Sequence, residues 1–236
     1  MISKNNESNK AFSEMLSTSG QVIKDLTEVG IDNFMNEGLA KDIPVLNIAH
    51  GVYKFFSGFQ YYFFIKKYKA FLQPLQSGNI IEEQKEMFLA KHESDPDFIR
   101  NLIEQLIITI DRHQTEQKSI YLGQILISFV KGEITFEEYN YFLYSLDSIH
   151  SYVGFERLND FYVYYNTIKD IEDIQMRRTI WQVNSKIDFS PLSGSGLLNL
   201  PTGGMIMGDL GGASLNEMGV KFCKYILEPI SVMNNV

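Results

Sequence analysis

Apolar residues recur every three or four positions along most of the chain, and this spacing predicts a succession of helices. Residues 1–10 are polar and read as a solvated tail. From Phe12 to Leu39, helical spacing links Val22, Ile23, Leu26, Val29, Phe34, Met35 and Leu39, with Gly20 and Gly30 as interruptions or bends. Asp42-Ile43-Pro44 breaks the pattern, with Pro44 suited to the first turn of a new helix. Residues 43–75 are dense in Phe and Tyr. A single helix over Ile43–Ile65 would reach roughly 34 Å, enough for a bilayer core. Asn47, His50, Lys54, Ser57 and Gln60 are scattered through it, so two shorter helices divided near Ser57-Gly58 fit better than a span.

Gln76-Ser77-Gly78-Asn79 reads as a loop, followed by helices with clear boundaries. Glu82–His92 is one. Asp95-Pro96 heads the next, whose stripe is Phe98, Leu102, Ile103, Leu106, Ile107 and Ile110. Gln117–Val130 ends at Lys131-Gly132, and Thr135-Phe-Glu-Glu138 forms a capping box ahead of Tyr139, Phe142, Leu143 and Leu146. A long helix is expected from Phe155 to about Arg178. After it the character changes: eight of the 17 glycines fall between Gly194 and Gly219. Ile180–Phe189 alternates as a strand would, and Gly196–Leu200 with Met205–Met207 reads as a hairpin around Pro201-Thr-Gly-Gly204. A closing helix carries Val220, Phe222, Cys223, Ile226 and Leu227. The expected fold is mainly α: a multi-helix bundle over 1–178 with a small β-hairpin and helix unit over 179–236.

Composition adds a charge pattern. The 236 residues are 44% hydrophobic and hold 29 acidic and 21 basic side chains, a net −8, which disfavours nucleic acid as a partner. Residues 43–81 stand apart: they carry Lys54, Lys66, Lys67 and Lys69 and no acid. This basic segment is also the aromatic one. Lys54, Phe55, Phe56, Phe59, Tyr62, Lys66, Lys67 and Lys69 are therefore the candidate contact residues for a protein partner, a second copy of the chain, or an anionic membrane surface. The alternative is that the rings pack inside while the lysines reach water.

Motifs for chemistry are weak by comparison. No glycine after Gly194 is followed by Lys as a phosphate loop requires, and Gly194-Ser195-Gly196 fits neither a dinucleotide loop nor a nucleophile elbow. The histidines His50, His92, His113 and His150 stand far apart, and Cys223 is alone. His92-Glu93-x-Asp95-x-Asp97 offers oxygens to a hard cation but lacks the EF-hand glycine and final acid, so an acidic helix start is the simpler reading. Asp170, Glu172 and Asp173 are placed to pair with Arg177 and Arg178 along a helix. No catalytic, cofactor-binding or metal-ligating residue is expected, although an enzyme built on scattered residues stays open.

Two resemblances bear on function. The Gly-Leu-Leu strand, turn, strand and closing helix resemble the wing and last helix of winged-helix domains, which implies nucleic-acid binding. The wing segment Pro201–Met207 carries no Lys or Arg for phosphates, so a protein-binding use fits better. Lys41-Asp-Ile-Pro-Val-Leu46, Lys131-Gly-Glu-Ile-Thr-Phe-Glu-Glu-Tyr139 and Leu215-Asn-Glu-Met-Gly219 resemble bacterial and phage-borne helical proteins of abortive-infection type. That resemblance implies an intracellular bacterial or phage setting, with an interaction or membrane-perturbing role in phage–host conflict; the expected location is the cytoplasm or the inner face of the membrane. It supplies no catalytic residue.

Overall fold

The computed structural model describes residues 2–28, 30, 58–78, 80–95, 97–173, 175–176, 179–180, 187–200 and 213–233, with side chains from Glu7 in the first helix and from Gln60 in the second. The chain forms two compact units, Met1–Thr135 and Phe136–Val236. The compositional division expected near residue 178 falls within the second of these.

In the first unit, α1 (Ile2–Glu28) and α2 (Gly58–Ser77) pack together and against α4 (Phe98–Arg112) and α5 (Glu116–Val130), with α3 (Glu82–Lys91) lying on α5. The polar tail expected over 1–10 is instead helical from Ile2, and Ser8 is buried. Ala11, Phe12, Met15 and Leu16 form a buried i, i+4 stripe that carries the helix back over these polar residues. Gly20 lies inside α1 without breaking it.

The helix α2 supplies the centre of the unit: Phe64, Ile65, Tyr68, Phe71 and Leu72 are almost wholly buried. It meets α5 at Gly123, where a Cβ would stand 2.3 Å from the Phe71 carbonyl and 2.6 Å from the Pro74 ring. Only a residue without a side chain lets the two backbones come this close. α4 follows the predicted stripe, with Leu102, Ile103, Leu106, Ile107 and Ile110 buried. An aromatic cluster joins the elements around α3: Phe88 stacks on Phe12 at 5.6 Å and meets Phe129 edge-on at 5.0 Å. Thr115 caps α5 by accepting from the Lys118 amide, and the helix stops at Gly132 (φ 73°), where the Gly132 and Glu133 amides return to Phe129 and Ser128.

In the second unit, α6 (Phe136–Ser148) and α7 (Gly154–Ile168) precede a 3-10 turn (Ser190–Leu192) and a two-stranded antiparallel pair. α7 ends about ten residues before the expected stop. Asp170, Glu172 and Asp173 gather at its negative C-terminal end, where acids oppose the helix dipole. Asp173 instead accepts from the amides of Gln175 and Met176. Arg177 and Arg178 lie outside the described residues. The strand expected over Ile180–Phe189 does not form where the chain is described: Ile180 is helical and 187–189 are irregular.

The antiparallel pair is β1 (Leu198–Asn199) with β2 (Ser214–Leu215), in the register Leu198–Leu215 and Asn199–Ser214. The return strand is thus Ser214–Leu215, more distant in sequence than the expected Met205–Met207, which lies outside the described residues. β2 leads into α8 (Glu217–Phe222), a π-helical turn (Cys223–Leu227) and α9 (Glu228–Met233). In the π turn the Glu228 amide reaches back to the Cys223 carbonyl, and Pro229, which has no N–H, follows directly. The fold is mainly helical with a small C-terminal sheet and a closing helix.

Candidate functional site

The basic–aromatic segment is only partly within the described residues. Lys54, Phe55, Phe56 and the side chain of Phe59 lie outside them. On α2 the remaining candidates separate by direction. Tyr62, Lys66, Lys69 and Gln73 recur at i, i+4, i+7 and i+11, so they form one stripe, all four half-buried. Phe63 borders the stripe and is 46% exposed. The Lys66 ammonium sits over the Tyr62 ring, 5.3 Å from its centroid. Neither Lys66 nor Lys69 has an acidic partner among the described residues.

Lys67 turns the other way. Its side chain is 13% exposed, and the ammonium donates to the carbonyls of Asp111 and His113, 4.0 Å from the Asp111 carboxylate. These carbonyls close α4, where the helix leaves acceptors unpaired and the dipole favours a cation. Burial lowers the Lys67 pKa, and the Asp111 carboxylate opposes that shift. Lys67 therefore caps α4 from α2.

The neighbouring His113 is buried, with Nδ1 3.2 Å from the Ser119 hydroxyl. Burial first, then Lys118, Lys67 and Arg112, push its pKa down to about 3. It is a neutral core imidazole at physiological pH.

The other groups singled out for chemistry are also engaged in the fold. The His92 ring stacks on Phe98 at 3.7 Å with planes 2° apart, and burial lowers its pKa. Asp95 accepts the Asp97 amide, and Asp97 pairs with Arg100 at 3.2 Å. Among the described residues no three His, Cys, Asp or Glu side chains converge as a metal site would require. The Cys223 thiol is fully buried, and burial raises its pKa.

Gly194-Ser195-Gly196 is a structural turn. The Ser195 hydroxyl donates to the Leu192 carbonyl at 2.7 Å and accepts from the Leu197 amide at 3.2 Å. Gly196 (φ 73°) presents its carbonyl to Tyr141 Oη at 2.6 Å and Asn216 Nδ2 at 2.7 Å. Asn216 also caps α8, its Oδ1 accepting from the Gly219 amide at 2.8 Å. Lys221 joins α8 to α6 through Glu138 at 2.7 Å.

One surface was missed in the sequence. On α3, Glu83, Glu86, Met87 and Ala90 share a face at i, i+3, i+4 and i+7, all exposed. Met87 is 66% exposed and the preceding Ile81 55%. Glu82 is taken by the buried Lys85 at 2.5 Å, but Glu83 and Glu86 make no ion pair among the described residues. The available signal was a methionine that follows Glu83 and Glu86 on the polar side of a short helix.

No helix among the described residues is long and apolar enough to cross a membrane. Comparison with protein-family models, characterised proteins and solved structures finds no match to this chain.

Proposed function

We propose that the protein is a non-enzymatic interaction module whose α2 stripe docks a protein partner. The observation that carries this reading is the division of labour on one helix. Lys67 is spent inside the unit, whereas Lys66 and Lys69 lie beside Tyr62 and Phe63 with no acid to meet them among the described residues. An exposed aromatic next to unpaired cations fits an acidic surface carrying an apolar anchor. A lipid surface fits less well, because two lysines contribute only about 1 kcal/mol each near anionic headgroups. The engagement of His92, His113, Ser195 and Cys223 in packing and turns also favours binding over catalysis.

The setting proposed is the bacterial cytoplasm during phage–host conflict, supported by the resemblance of three short stretches. In the fold, Lys131–Tyr139 is the connection from α5 into α6, and Leu215–Gly219 is the entry to α8. Lys41–Leu46 lies outside the described residues.

The test begins with a photo-crosslinking amino acid at position 63 of the full chain, expressed in bacterial cells with and without phage infection. The captured protein is then purified and its binding measured directly. The expected result is binding lost with Lys66→Glu/Lys69→Glu while thermal melting is unchanged. Binding that survives this variant overturns the reading. Flotation with phosphatidylserine vesicles, lost in the same variant, would replace it with the membrane form. Plaque counts unaltered by expression would remove the phage setting.

A further inference from the structure

The α2 stripe and the α3 face have opposite chemistry and the same form. One presents Lys66 and Lys69 beside Tyr62 and the exposed Phe63, and the other Glu83 and Glu86 beside the exposed Met87. On each helix the two charges are three residues apart, so both pairs lie on adjoining turns of one face. All four charges lack an ion-pair partner among the described residues, whereas Lys67, Lys85 and Arg100 of the same unit pair with nearby acids. Both helices pack on α5 and touch α1, α3 through Lys85 and Ser17, and no ion pair joins the two charged faces within one copy among the described residues. Lys91 is exposed at the far end of α3 and limits the acidic face to Glu83 and Glu86.

We propose that the partner of the α2 stripe is the α3 face of a second copy of this chain. This rests on reading α2 as a docking face. The contact joins unlike surfaces, so it closes when two copies exchange it reciprocally, giving a symmetric dimer with two such contacts. Met87 then meets Phe63 and Tyr62, a contact of sulfur with aromatic rings, while the ammonium and carboxylate pairs set the register. Two helices with these few anchors make a small interface, below about 1,200 Å², so the association is weak, with a Kd between about 1 μM and 1 mM.

Sedimentation equilibrium of the full chain tests this. Wild type self-associates, and raising the salt from about 0.1 M to about 1 M, which shortens the screening length from about 10 to about 3 Å, weakens association. Lys66→Glu/Lys69→Glu and Glu83→Lys/Glu86→Lys each associate with themselves at least about tenfold more weakly. Mixed one to one, the two variants associate again, because the mixed dimer holds one native contact and one reversed but still complementary contact. This recovery cannot come from misfolded chains.

A wild-type chain that stays monomeric at about 1 mM overturns the proposal, as does a mixture that fails to associate. If wild type is monomeric but a purified foreign protein binds in a Lys66- and Lys69-dependent way, self-association falls and the docking reading stands. If neither association depends on these lysines, both fall.

Discussion

In the first unit, α2 and α5 touch through a residue with no side chain, Gly123 set against the Phe71 carbonyl and the Pro74 ring. In the second, the crossing at Gly196 is held by two donors on one carbonyl, Tyr141 from α6 and Asn216 from the entry to α8. The first device works by close packing of apolar surface, with no specific bond at the point of approach. The second works by directed hydrogen bonds where the described residues form only a two-residue ladder. A two-residue ladder cannot fix a chain crossing by itself, so polar side chains supply the missing bonds. The difference predicts that the units respond to different insults.

Acid is expected to have the largest effect, and to act on the first unit. His113 has a folded pKa of about 3 against an ordinary value near 6.5. Above pH 6.5 neither state binds the proton, so His113 adds no pH dependence. Between 6.5 and about 3 the unfolded chain takes up a proton that the folded chain refuses, so stability falls as pH falls. The full loss is on the order of a few kcal/mol, reached near pH 3. Among the described residues the second unit has no buried histidine, since His150 is exposed. Hydrogen exchange between pH 7 and pH 4 should show protection lost first in α4 and α5, and His113→Gln should flatten this dependence.

Gly123→Ala comes next. Its Cβ would press on backbone and a proline ring, neither of which can rotate away, and such overpacking costs about 1–3 kcal/mol. The gain in helix propensity, about 1 kcal/mol, offsets only part of this. Urea titration monitored by exchange in α2 and α5 is the check. In the second unit, Asn216→Ala should cost about 2 kcal/mol, combining a lost helix cap with a lost donor to Gly196. Asn216→Asp keeps the cap acceptor but not the donor, so about half of that loss should return. Equal losses for Ala and Asp would show that the Gly196 bond, and not the cap, sets the effect.

The smallest effects distinguish the lysines of α2. Lys67→Met should lower stability by about 1 kcal/mol by uncapping α4, whereas Lys66→Met and Lys69→Met should stay within about 0.5 kcal/mol of wild type. Equal losses at all three positions would erase the separation between an inward and an outward lysine.

What the sequence revealed follows from the same contrast. The α4 stripe and the stop at Lys131-Gly132 were legible because periodicity and a left-handed glycine are local signals. The helical character of residues 2–10 was not, because it depends on Phe12 and Met15 docking elsewhere. Ser214–Leu215 was missed as the return strand because its pairing is non-local and only two residues long. Lys66, Lys67 and Lys69 look alike in sequence. Lys67 is set apart because the end of α4 lies against α2, a tertiary fact that no spacing in α2 encodes. The face of α3 went unmarked because a single Met among glutamates carries little weight before the helix is known to be exposed there.

The most direct test of the α2 stripe as the surface on which two copies meet is sedimentation of the Lys66→Glu/Lys69→Glu chain beside wild type, with thermal melting of both as the control. The variant is expected to melt with wild type yet sediment as a monomer where wild type associates. A variant that associates as wild type does, or that melts markedly lower, would contradict it.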